Sequence, residues 1–123
     1  MKLMKLLAED YKSLKYTKKN EGMFQAAYFG DKGSALRYRV KRYPDINDGD
    51  SVYEMHIDIH QDEQGKGLAG DMIKAFLYRN GGVIWFSHGR IVNSNVYKVI
   101  DKIKNDHSFL VQNYNDGITI EEN

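Results

Sequence analysis

The chain has 123 residues, enough for one domain with a real core and not for two. Its 41% hydrophobic and 28% charged content is that of a globular protein, and a net charge of +1 argues against a general polyanion binder. The absence of cysteine removes disulfides, thiolate catalysis and cysteine-based zinc sites. No apolar run approaches the roughly 18 residues of a membrane span, and MKLMKLLAED has too short an apolar core for a signal peptide, so a cytoplasmic protein is expected.

The charge is unevenly spread. Residues 1–43 carry eleven Lys and Arg against four Asp and Glu, a surplus of seven. The remainder carries seven against thirteen, a deficit of six. Such a gradient either marks a partner-facing side or disappears when folding interleaves the two halves.

In chain order, residues 3–16 place Leu3, Leu6, Leu7, Tyr11 and Leu14 at the spacing of an amphipathic helix. Residues 23–29, MFQAAYF, read as a strand, and Gly30-Asp31-Lys32-Gly33 as a turn. Residues 35–43 alternate, with Leu36, Tyr38 and Val40 on one face and Arg37, Arg39 and Lys41 on the other. That is a half-buried strand with a basic outer row, paired to its predecessor as a hairpin. The stretch YPDINDGD, with the only proline, is a turn.

Residues 51–60, SVYEMHIDIH, alternate again. Tyr53, Met55, Ile57 and Ile59 share one face, and Val52, Glu54, His56, Asp58 and His60 the other. Residues 67–78 form a helix that Asn80-Gly81-Gly82 stops. VIWF, 83–86, is a strand buried on both faces. Residues 93–104 form a second helix, and 109–111 and 118–120 a closing hairpin around Asn115-Asp116-Gly117. The strand–helix–strand unit makes the strands at 51 and 83 parallel. The fold class expected is α/β, or more strictly α+β. It is a single domain over 1–123, with a mixed and mostly antiparallel sheet, helices on both faces and one parallel splayed pair.

The informative junction is Gln64-Gly65-Lys66-Gly67-Leu68-Ala69-Gly70, where a polar-faced strand turns into a helix. Glycines there let the backbone approach a ligand closely. The unpaired N–H groups of the first helical turn and the helix dipole favour an anion. The spacing is not that of a P-loop. Taken from Gly65 it satisfies G-x-G-x-x-G, but the acidic residue that a dinucleotide fold needs about 20 residues on is missing, with Ser87 and His88 in that region. The same glycines also suit a plain tight connection.

Gln64-x-x-Gly67-x-Ala69 resembles the Q/R-x-x-G-x-G/A signature of the GNAT superfamily, the acetyl-CoA-dependent N-acetyltransferases. The strand at 83–87 and the helix opening at Asn93 resemble that family's second motif, and the likeness spans roughly residues 51–105. It implies a single acetyltransferase-like domain with an abbreviated N-terminal part, and acetyl-CoA lying in a V between the parallel strands. It also implies that backbone N–H groups of Gln64, Gly65, Lys66, Gly67, Leu68, Ala69 and Gly70 hold the pyrophosphate of coenzyme A. Ile57 and Ile59 would pair with the pantetheine arm, and Asn93 would stand near the pantetheine or thiol. The acceptor, an amine-bearing small molecule or protein, would arrive over the polar strand face.

Amine acylation needs a base and, for some members, an acid for the leaving thiolate. Glu54 is the first candidate base and His56 the second. The family's tyrosine acid, seven residues after the helix-opening Asn, falls on Ile100, so Tyr97 one turn earlier is the candidate acid. Three other readings compete. His56, Asp58 and His60 invite a metal, but i and i+4 on a strand stand about 13 Å apart, too far to share an ion. The Arg37, Arg39 and Lys41 row can contact phosphates, although a solvated face explains it more simply, so nucleic acid is a weak fit. A GNAT fold with little catalysis, acting as a binding module through its basic N-terminal face, is the last. An exposed C-terminal hairpin edge would allow a homodimer.

Overall fold

The computed structural model describes residues 10–91 and 94–123. Four strands, β1 (Tyr16–Glu21), β2 (Phe24–Phe29), β3 (Ser34–Arg42) and β4 (Ser51–Asp58), form an antiparallel meander. Helix α1 (Leu68–Asn80) then carries the chain to β5 (Val83–Ser87), which lies parallel to β4. Helix α2 (Asn95–Lys104) leads to the closing hairpin of β6 (Phe109–Asn113) and β7 (Gly117–Glu122), with β7 paired to β5. The seven strands form one sheet in the order β1-β2-β3-β4-β5-β7-β6, mostly antiparallel, as the alternating sequence segments require.

Period-two patterning decides which way each strand faces. Leu36 and Tyr38 of β3, Met55 of β4, Ile84 and Phe86 of β5, and Ile118 and Ile120 of β7 all enter one apolar cluster. There they meet Met72, Ile73, Phe76 and Leu77 of α1 and Ile100 and Ile103 of α2, all buried. Burying each such side chain stabilises the fold by roughly 1.5–3 kcal/mol, which makes this layer the main source of stability. Gly67, in the left-handed region at φ 76°, opens α1. Gly81, at φ 65°, closes it with its N–H on the Leu77 carbonyl.

The structure departs from the sequence reading in four places. Of the helix expected over 3–16, residues 3–9 lie outside the described residues, while 10–12 form a single 3-10 turn and Tyr16 already starts β1. The sequence of β1, YTKKNE, has no apolar alternation to reveal it, because it is an edge strand with its last five residues exposed. Both described helices share one apolar cluster, so they pack on one face of the sheet, not two. Val40 is 61% exposed despite its alternating position, lying beyond the area the helices cover.

Candidate functional site at the strand parting

Strands β4 and β5 pair at only two positions, Tyr53↔Ile84 and Glu54↔Trp85. Beyond them the ladder ends and the strands part. Met55 to Ile59 line one wall of the resulting cleft and Phe86 and Ser87 the other, while the start of α1 and one side of α2 close it. The cleft holds about 660 Å³, the size range of small-molecule and cofactor sites. Gly70 faces α2: a Cβ there would meet Val99 at 3.7 Å, an ordinary contact.

The glycine turn borders this cleft. Gly65 and Gly67 both hold left-handed conformations, at φ 77° and 76°, and a Cβ on either would meet nothing within 4 Å, so open space adjoins the backbone. The first helical hydrogen bond of good geometry in α1 runs from Asp71 N–H to the Gly67 carbonyl at 3.3 Å. The N–H groups of residues 65–70 make no such bond to another described residue. These are the orphan donors of a helix N-terminus, concentrated at a concave site.

The turn is anchored from behind. Ser34 Oγ donates to Glu63 at 2.7 Å and accepts from the His60 N–H at 2.9 Å, His60 Nδ1 accepts from the Asp62 N–H at 3.1 Å, and the Gln64 side chain donates to the Ile59 carbonyl at 3.3 Å. Lys98 and Lys102, one turn apart on α2, line the same cleft with no ion pair to another described residue, which adds positive potential. Lys74 also lines it but is held by Asp106 at 2.9 Å.

The expected site residues separate here. Ile57, Ile59, Gln64, Gly65, Gly67, Leu68, Ala69, Gly70 and His56 all line the cleft, whereas Lys66 does not. Asn93 lies outside the described residues. Glu54 is 2% exposed and absent from the lining. Its Oε1 accepts from Arg39 Nε at 3.0 Å, its Oε2 accepts from the Tyr43 hydroxyl, and Arg90 stands 3.8 Å away. Burial pushes the Glu54 pKa up, but the Tyr43 and Arg39 hydrogen bonds and the Arg39 and Arg90 charges outweigh it and hold the carboxyl below its usual range. A carboxylate so engaged is a poor proton acceptor.

His56 has the opposite character. Burial, reinforced by the Arg90 charge, lowers its pKa below the usual imidazole value against the pull of Glu54, so the ring is neutral at pH 7. The ring stands edge-on to Phe24 at 6.0 Å. Tyr97 is also placed elsewhere: its hydroxyl lies 2.9 Å from His88 Nδ1, and it is not part of the cleft lining.

Arg90, at the end of the 3-10 turn after β5, lines the cleft and reaches the Glu54 network. Lys98 and Lys102 were hidden in the sequence because a lysine on an exposed helix surface carries no mark of its neighbours. Among the described residues no group of three His, Cys, Asp or Glu side chains is placed to share a metal ion, and no helix is long and apolar enough to cross a membrane. Comparison with protein-family models and with curated proteins finds no match to this chain.

Proposed function

We propose that this is a GNAT-like N-acetyltransferase that moves an acetyl group from acetyl-CoA to a primary amine. The observation that carries the reading is the set of amides at Gly65 and at Gly67 to Gly70, unbonded to any described residue, bordering a cleft between two parting parallel strands. The fit to coenzyme A is chemical. Amide donors, a helix N-terminus and the Lys98 and Lys102 ammonium groups suit its phosphates, while Ile57, Ile59 and Phe86 suit its apolar arm. Bound there, acetyl-CoA supplies an activated acyl carbonyl, so that a C–N bond forms to the amine as the C–S bond breaks and coenzyme A leaves as thiolate, to be protonated by solvent.

The residues of the chain then have distinct tasks. The turn at Gln64 to Gly70 anchors the nucleotide end. The edge of β4 beyond Met55, released from β5, offers backbone groups to an extended ligand. His56, neutral and facing the cleft, takes the proton that the amine loses. Glu54 acts as a fixed charge rather than as the base.

A calorimetric titration with acetyl-CoA tests the reading. Micromolar binding is expected. Gly67→Val abolishes it by filling the cradle. Gly30→Val carries the same left-handed backbone strain, about 1–3 kcal/mol, in a distant hairpin turn and leaves binding intact. No binding at millimolar acetyl-CoA removes the reading.

The engagement of Glu54 and Tyr97 away from the cleft favours a second reading, a protein that holds coenzyme A without transferring from it. His56→Ala separates the two. It lowers kcat by about 10²- to 10⁴-fold in a transferase, the usual worth of a positioned base. A protein that binds coenzyme A and acetylates no amine follows the second.

A further inference from the structure

The face of the sheet that neither described α-helix covers shows what kind of acceptor the site suits, granted the transferase reading above. His56 shares this face with Glu54 and Asp58, and the acceptor reaches His56 across it. The carboxylates here are already engaged. Glu54 is taken by Arg39 and Tyr43, Asp58 by Arg37, and Glu21 by Arg37 at 3.2 Å. A guanidinium is left over. The Arg90 side chain is 49% exposed, lines the cleft and touches Glu54 only at 3.8 Å, beyond hydrogen-bond reach, so among the described residues nothing occupies its planar set of donors. Buried Glu54, fixed on its other sides, supplies the charge that keeps Arg90 at the mouth of the cleft.

We infer that Arg90 is the specificity-determining residue of the acceptor side, and that it selects amines that also carry an anionic group, a carboxylate or a phosphate. A guanidinium binds either group with two parallel N–H donors. A cationic acceptor such as a polyamine meets Arg37, Arg39 and Arg90, and the described carboxylates between them, Glu21, Glu54 and Asp58, are already paired. Burial first, and the Arg90 charge after it, keep His56 neutral against the pull of Glu54, ready to receive the proton that the bound amine gives up.

The experiment has two arms. In the first, acetylation of 4-aminobutyrate and of O-phosphoethanolamine is compared with that of butylamine. The anionic amines are expected to show kcat/KM at least about tenfold higher, the value of one charge-assisted contact, mainly through KM. Whichever of the two is preferred tells carboxylate from phosphate. Arg90→Gln brings the ratio to within about twofold and Arg90→Lys restores part of it, while Arg42→Gln, an exposed charge outside the cleft, leaves it in place.

In the second arm the free protein, without acetyl-CoA, is titrated with 4-aminobutyrate and O-phosphoethanolamine and followed through the Arg90 Nε–H resonance. At least one is expected to shift that resonance, and butylamine is not. Equal turnover of neutral and anionic amines overturns the inference and leaves the transferase reading standing. A protein that fails to bind acetyl-CoA, yet shifts Arg90 with the anionic amines, loses the transferase reading and keeps the anion site. Silence of Arg90 toward both anionic amines overturns the inference.

Discussion

The two faces of the sheet are made by the same strands and held by different forces. On one, Met55, Ile84, Phe86 and Ile120 meet α1 and α2 in a dry apolar layer. On the other, Arg37, Arg39, Glu54, Asp58 and Tyr43 form a web of charged contacts, with Trp85 packed beside it against Tyr43 and Tyr114. Strand β4 alternates between the two, giving Met55 to the helices and Glu54 and His56 to the web. The apolar face supplies stability, which is non-directional and tolerant of detail. The charged face supplies fixed positions, which chemistry needs and which an unpaired charge would spoil.

The largest effect is expected where the apolar face is broken. Phe76→Ala removes a fully buried ring that contacts Tyr16, Tyr38 and Tyr53 and should cost about 4 kcal/mol in chemical denaturation. Next is Glu54→Gln, which leaves Arg39 and Tyr43 facing a neutral amide and should cost about 3 kcal/mol at pH 7. This variant also has a pH signature. The Glu54 pKa is lower folded than unfolded, so its contribution is complete above the ordinary value of 4.5 and is lost as pH falls through the folded value. Stability curves of wild type and Glu54→Gln should therefore converge on acidification.

A smaller effect belongs to the ion pair at the rim of the apolar face. Lys74→Met removes the contact to Asp106 and the ammonium that stands 5.7 Å from the Tyr11 and Phe109 ring centres, for a loss of about 1 kcal/mol in the same assay. The smallest is Val40→Thr. Its side chain points to the helix side of the sheet but beyond the helices, and the change should stay within about 0.5 kcal/mol. A larger loss there would show that the apolar face extends further than the helices do.

Much of this was legible in the sequence because it rests on local patterns. The alternation in β3 and β4 named the right faces, the glycines at 65, 67, 81 and 82 marked both ends of α1, and the crossover rule made β4 and β5 parallel. What escaped depends on neighbours distant in the chain. Nothing in TKKNE announces a strand, since past Tyr16, which packs on Phe29 and Phe76, β1 is held chiefly by its ladder to β2. The face of Glu54 was readable, but not that Arg39, fifteen residues earlier, and Tyr43 would consume both oxygens. Tyr97 was placed on its helix correctly, while its turn toward His88 depends on the course of the loop after β5.

The brevity of the β4–β5 ladder has a mechanical meaning. The strands β1 to β4 are one leaf, and β5, β7 and β6 another, each internally bonded along its full length. Two rungs and the helix layer are the spine between them. A molecule lying in the gap would touch both leaves at once and act as the stitching that the protein itself omits, so occupancy and rigidity of the sheet rise together.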